Sequence, residues 1–79
     1  MNENEKEYLE NFRRNLVSFR KENKLSQEAL GELCNLSTVT IAHYEGGLIS
    51  PKLSTFVKIA SALNVSPENL LKRKAENEQ

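Results

Sequence analysis

Leu9, Phe12, Leu16 and Phe19 recur every three or four residues, with Arg13, Arg14, Lys21 and Glu22 mostly off that stripe. This spacing predicts a first helix over about residues 6–22, its opening residues frayed. Asn23-Lys24 breaks the pattern. Ser26 is placed to cap a second helix, and Ala29, Leu30, Leu33 and Cys34 form its apolar side. Asn35 follows, the non-glycine residue type that best tolerates the left-handed backbone ending a helix. Ser37 is placed to cap a third helix, with Ile41 and Tyr44 facing inward and Gly46-Gly47 as its stop. Two helices of about eight residues with a three- or four-residue turn make a helix-turn-helix.

Ser50-Pro51 reads as the start of a fourth helix, serine as cap and proline in the first turn. Its apolar positions are Leu53, Phe56, Val57, Ile59, Ala60 and Leu63, and Asn64 closes it. Ser66-Pro67-Glu68 repeats the start signal for a fifth helix with Leu70 and Leu71 inward. No segment alternates with period two over a useful length, so no sheet is expected. The reading is an all-α domain over residues 9–72. Residues 1–8 are expected to be a flexible extension and residues 73–79 a disordered tail.

Composition narrows the function. A chain of 79 residues is one small domain. No run approaches the ~18 apolar residues of a membrane span, and the acidic start lacks the layout of a signal peptide. One cysteine builds no disulfide framework, so the expected location is cytoplasmic. The formal net charge is zero, but it is unevenly spread. Arg13, Arg14, Arg20, Lys21 and Lys24 stand against Glu22 within residues 11–25, a stretch suited to phosphate or to solvent.

Catalytic chemistry finds little support. Single His43 and single Cys34 fall short of the three or four ligands of a metal site, and they sit on opposite faces. They form no nucleophile-base pair. Gly46-Gly47 reads as a helix stop, not a phosphate loop. A domain this small leaves little room for a substrate pocket, so no enzyme activity, small-molecule substrate, metal or cofactor is expected.

The stretch Phe19-Arg20, Leu25-Ser26-Gln27-Glu28-Ala29-Leu30, Leu36-Ser37, Ile41, Tyr44-Glu45-Gly46-Gly47, Pro51-Lys52-Leu53 and Ile59 to Ser66 resembles the phage repressor and Cro family. This is also called the xenobiotic-response-element family of helix-turn-helix domains. The resemblance covers roughly residues 12–72 and implies a compact five-helix, lambda-repressor-like fold. It implies that the third helix enters the major groove of double-stranded DNA, about 12 Å wide, and reads base edges with Thr38, Val39 and His43. Thr40 lies nearby. Val39 offers only apolar contact, as to a thymine methyl. His43 offers a hydrogen bond to a purine N7 or a phosphate.

By the same resemblance Gln27 and the first amides of the second helix grip a phosphate, with Ser26, Ser37, Thr40 and Gly47 as secondary contacts. Arg20 and Glu45 are expected to form an ion pair that fixes the recognition helix on the scaffold. Such proteins often dimerise near the loop after the recognition helix. Leu48, Ile49, Val65 and Leu70 are therefore the candidate interface of a homodimer on a pseudo-palindromic operator.

The sequence also departs from that family. The loop after the third helix reads Leu48-Ile49-Ser50, where relatives carry phosphate-binding cations. Gly46 stands where an amide side chain is common, Lys24 where glycine usually ends the first helix, and Gly31 where alanine is usual. The leading expectation is a sequence-specific transcriptional regulator, a repressor. Cro-type, restriction-modification controller and antitoxin roles also fit. The alternative is a protein-interaction module with weak or no DNA affinity. A third reading is non-specific nucleic-acid binding through residues 11–24.

Overall fold

Asn2 starts the first helix: its side-chain oxygen accepts from the Glu5 amide, and α1 runs Glu3–Glu22. The computed structural model describes residues 2–77. Glu3 and Glu5 lie in the first turn of α1, and Arg20 and Lys21 in its last, which suits the helix dipole. The helix thus reaches back through most of the segment expected to be a flexible extension. That expectation followed apolar spacing, which begins only at Leu9. The cap and the acidic first turn extend the helix without any buried apolar residue before Leu9.

The elements that follow are α2 (Gln27–Cys34), α3 (Thr38–Glu45) and α4 (Leu53–Ala62), then a 3-10 turn (Pro67–Leu70) and a short α5 (Lys74–Asn77). No strand occurs among the described residues. The domain is the all-α, helix-turn-helix body expected from the sequence. Its core is Phe12, Leu16, Leu30, Cys34, Ile41, Tyr44, Ile59, Ala60, Leu63 and Leu70. Within it Phe12 lies edge-on to Tyr44 and tilted against Phe56.

The four long helices end alike. Lys24, Asn35, Gly47 and Asn64 each take a positive φ, at 58°, 56°, 76° and 58°. In each case the next amide reaches back five residues: Leu25 to Arg20, Leu36 to Gly31, Leu48 to His43, Val65 to Ala60. This is the Schellman ending, which satisfies carbonyls the helix leaves open. An aliphatic residue follows the left-handed one every time. Leu25, Leu36 and Val65 pack on the core, whereas Leu48 is 72% exposed.

Several expectations are corrected. Leu33, Leu53 and Val57 point outward, because short helices bury a narrower stripe than their apolar residues suggest. α4 begins two residues beyond Pro51, with Lys52 at its cap position and no side-chain cap. Ser66-Pro67 opens only one 3-10 turn, also without a side-chain cap. Leu70 is fully buried, so it contributes to the core and to no interface. Val65 is half-buried against that core.

The expected tail is in part built into the domain. Asn15, itself buried, donates to the Leu70 and Lys72 carbonyls at 3.0 and 2.7 Å, and Asn11 donates to the Leu71 carbonyl at 3.0 Å. Asn77 then donates to the Asn15 side-chain oxygen and to the Asn69 carbonyl. These bonds satisfy backbone groups that no regular helix covers. The last part of the expected disordered tail, residues 78–79, lies outside the described residues.

Candidate nucleic-acid interface

Local chemistry builds the helix-turn-helix. Ser26 accepts from the Ala29 amide at 2.9 Å and Ser37 from the Thr40 amide at 3.0 Å, so both serines are N-caps. Between them Asn35 ends α2 and Leu36 folds inward. Gly31 is required by this turn: a Cβ there would lie 2.6 Å from the Leu36 carbonyl oxygen. That clash is with backbone, which cannot swing aside. A residue without a side chain therefore sets how closely α2 and α3 approach.

α3 buries Ile41, Tyr44 and Glu45. The opposite face carries Thr38 and Val39, both exposed, and His43, which is half-buried. Val39 is 61% exposed, a branched aliphatic side chain turned to solvent on a helix whose other branched aliphatic residue, Ile41, is fully buried. Thr40 is half-buried, and its hydroxyl lies 2.9 Å from that of Ser37. These two hydroxyls are already engaged with each other, so their first duty is to the start of the helix.

An ion pair locks the other end of α3. The Arg20 guanidinium meets Glu45 through two hydrogen bonds, Nε to Oε2 at 2.6 Å and Nη2 to Oε1 at 3.0 Å. Its Nη1 donates to the Leu25 carbonyl at 2.9 Å. The two side chains are only 12% and 8% exposed. A two-pronged geometry of this kind fixes orientation as well as position. Gln27 joins the network, its amide donating to Glu45 Oε1 at 2.9 Å. The first residue of α2 and the last of α3 are therefore tied through one carboxylate.

The structure brings Gln27, Arg20 and Glu45 together. It places Thr38, Val39 and His43 on one outward face. Gly47, with its left-handed backbone, lies past the end of α3, followed by exposed Leu48 and Ile49. Leu70 of the expected interface is withdrawn into the core, while Val65 is half-buried. Cys34 is buried, and burial pushes its thiol above the usual range, so it behaves as a small core hydrophobe. Among the described residues no group of three metal-ligating side chains occurs, and no helix is long and apolar enough to cross a membrane.

Two features escaped the sequence. One is the asparagine latch of Asn11 and Asn15, whose signal was present: two amides at i, i+4 beside Phe12 and Leu16, on the edge of an apolar stripe. The other is Arg13, which joins Glu10 at 2.5 Å and whose stem lies against Gly47. Its hydrogen bond holds the Glu10 carboxyl below the usual carboxylate range, so the pair is charged at neutral pH.

A capped pair of short helices, with the second turned outward and locked from behind, is a helix-turn-helix. Residues 16–70 match the helix-turn-helix family, and the chain belongs to it, in its phage repressor and Cro type. It is 41% identical over 66 residues to the Control protein C.SmaI of Serratia marcescens, a match covering 82% of this chain and 79% of that one. The fold is also that of a hypothetical transcription factor, NHTF, from Neisseria, with a TM-score of 0.85 and 29% identity. That match covers 92% of this chain and 82% of the other. The family and these likenesses mark the chain as a DNA-binding transcription regulator.

Proposed function

We propose that this protein is a sequence-specific regulator that sets α3 in the major groove and acts as a homodimer on a pseudo-palindromic operator. The observation that carries the reading is the outward face of Thr38, Val39 and His43 on a helix held by the Arg20–Glu45 lock. Thr38 and His43 offer hydrogen bonds to base edges, and Val39 offers a methyl-sized contact. None is a two-pronged arginine or amide pair, so each base is discriminated modestly and a second half-site adds the rest. The amides at the start of α2, with Gln27, hold a phosphate there. Exposed Leu48 and Ile49 supply the contact between copies, which places two recognition helices about 34 Å apart on successive major grooves. The likeness to a control protein supports a controlling role at a promoter, and repression is the simplest form of it.

Selection from random duplexes tests this. The parent protein is expected to enrich one motif. His43→Ala is expected to relax one base position, and Gln27→Ala to weaken all sites about equally. Selection and affinity untouched by both changes contradict the docking mode. A second reading is favoured by the uncharged, aliphatic Leu48-Ile49 loop: a protein-interaction module. It predicts no enriched motif and no duplex binding even at low salt.

A further inference from the structure

The loop between α3 and α4 carries no charge until its last residue, exposed Lys52, which stands at the start of α4. Helix-in-groove binding nevertheless puts that loop beside a sugar-phosphate wall, since a helix lying in the major groove ends at one. A cation from elsewhere in the fold stands next to it. The Arg13 Cδ of α1 lies 3.3 Å from the point a Cβ would occupy on Gly47. The arginine stem is therefore laid across the left-handed residue that ends the recognition helix. A side chain on Gly47 would press on it.

The guanidinium is also pre-positioned. Glu10, one turn earlier, accepts from Arg13 Nε at 3.0 Å and from Nη2 at 2.5 Å. Two such bonds fix the plane of the fork before any ligand arrives and leave Nη1 to meet a further oxygen. The side chain keeps 35% of its surface in solvent. Arg14 shares Glu10 at 3.4 Å but is 60% exposed and has no contact of this kind with the recognition helix.

We infer that Arg13 is a phosphate-contacting cation of the α3–α4 side, supplied by α1 to the Gly47 end of a loop whose own cation, Lys52, stands at the α4 end. Glu10 acts as its positioning residue. This rests on the DNA-binding reading above. Glycine at position 47 then serves two ends: it turns the chain out of α3, and it lets an arginine from another helix lie at the edge of the interface.

The test is the salt dependence of binding to the selected duplex, for the parent, Arg13→Gln, Arg13→Lys and Arg14→Gln, with thermal unfolding as a check that each is folded. Losing one phosphate contact lowers the slope of log affinity against log salt by about 0.9. The advantage of the parent over Arg13→Gln is therefore expected to shrink about 3- to 4-fold between about 50 and 200 mM salt. The enriched motif stays the same. Arg13→Lys keeps the parent slope, and Arg14→Gln changes it by less than half as much. A parent slope in Arg13→Gln, or an equal loss in Arg14→Gln, overturns the assignment while leaving the DNA reading intact. A parent protein without salt-dependent duplex binding overturns both.

Discussion

The two turns that bracket the recognition helix close with the same backbone hydrogen bonds and differ in where the next aliphatic goes. After α2, Leu36 folds inward behind Asn35, and Gly31 lets the helices touch. After α3, Leu48 stays in solvent behind Gly47. The first turn is held by packing. The second end is held by charge, through the Arg20 fork on Glu45. An apolar clasp needs the side chain that follows the helix, whereas an ion pair from behind does not. The loop after α3 is thereby released from duty in the core, and its aliphatics face outward.

The comparison breaks first at the ion pair. Glu45→Ala leaves a nearly buried guanidinium with only the Leu25 carbonyl and is expected to cost about 3 kcal/mol, read by denaturant unfolding. Its effect on DNA affinity should exceed its effect on helix content, because α3 loses its fixed orientation. A smaller contrast separates the two leucines. Leu36→Ala removes a half-buried side chain and is expected to cost about 1–2 kcal/mol. Leu48→Ala should fall within about 0.5 kcal/mol of the parent. The loss at Leu48 should appear instead in sedimentation, as weaker self-association on the operator duplex. Equal stability losses at Leu36 and Leu48 would show that the second turn is clasped like the first.

Much of this architecture was legible because it is local. Ser26 and Ser37 each stand one residue before a helix and accept from the amide three residues on, and Asn35 and Asn64 mark left-handed ends that few other side chains accept. The stripe of Phe12 and Leu16 needs no knowledge of its partners. The misreadings came where distant chain decides. Ser50-Pro51 has the chemistry of a helix start, yet α4 waits for Leu53. Leu33, Leu53 and Val57 have core composition and surface positions, because short helices turn one narrow face inward. Asn15 finds its acceptors 55 and 57 residues away, and Arg13 finds Gly47 only through the fold. At the candidate interface, the family resemblance and not the residue types pointed to the face of α3 and the lock behind it. Neither revealed that Gln27 shares Glu45 with Arg20, and Leu70, inward by its helix spacing yet expected at the interface, is ruled out there by full burial.

The most direct test of the account is an amide chemical-shift titration of the labelled protein with its selected duplex. The largest changes should fall on Gln27 to Ala29 and Thr38 to His43, with a further change at Gly47 and little at Leu63 to Leu70. Changes centred instead on Tyr8, Leu53 and Leu71, with α3 silent, would contradict a protein that reads DNA through its third helix.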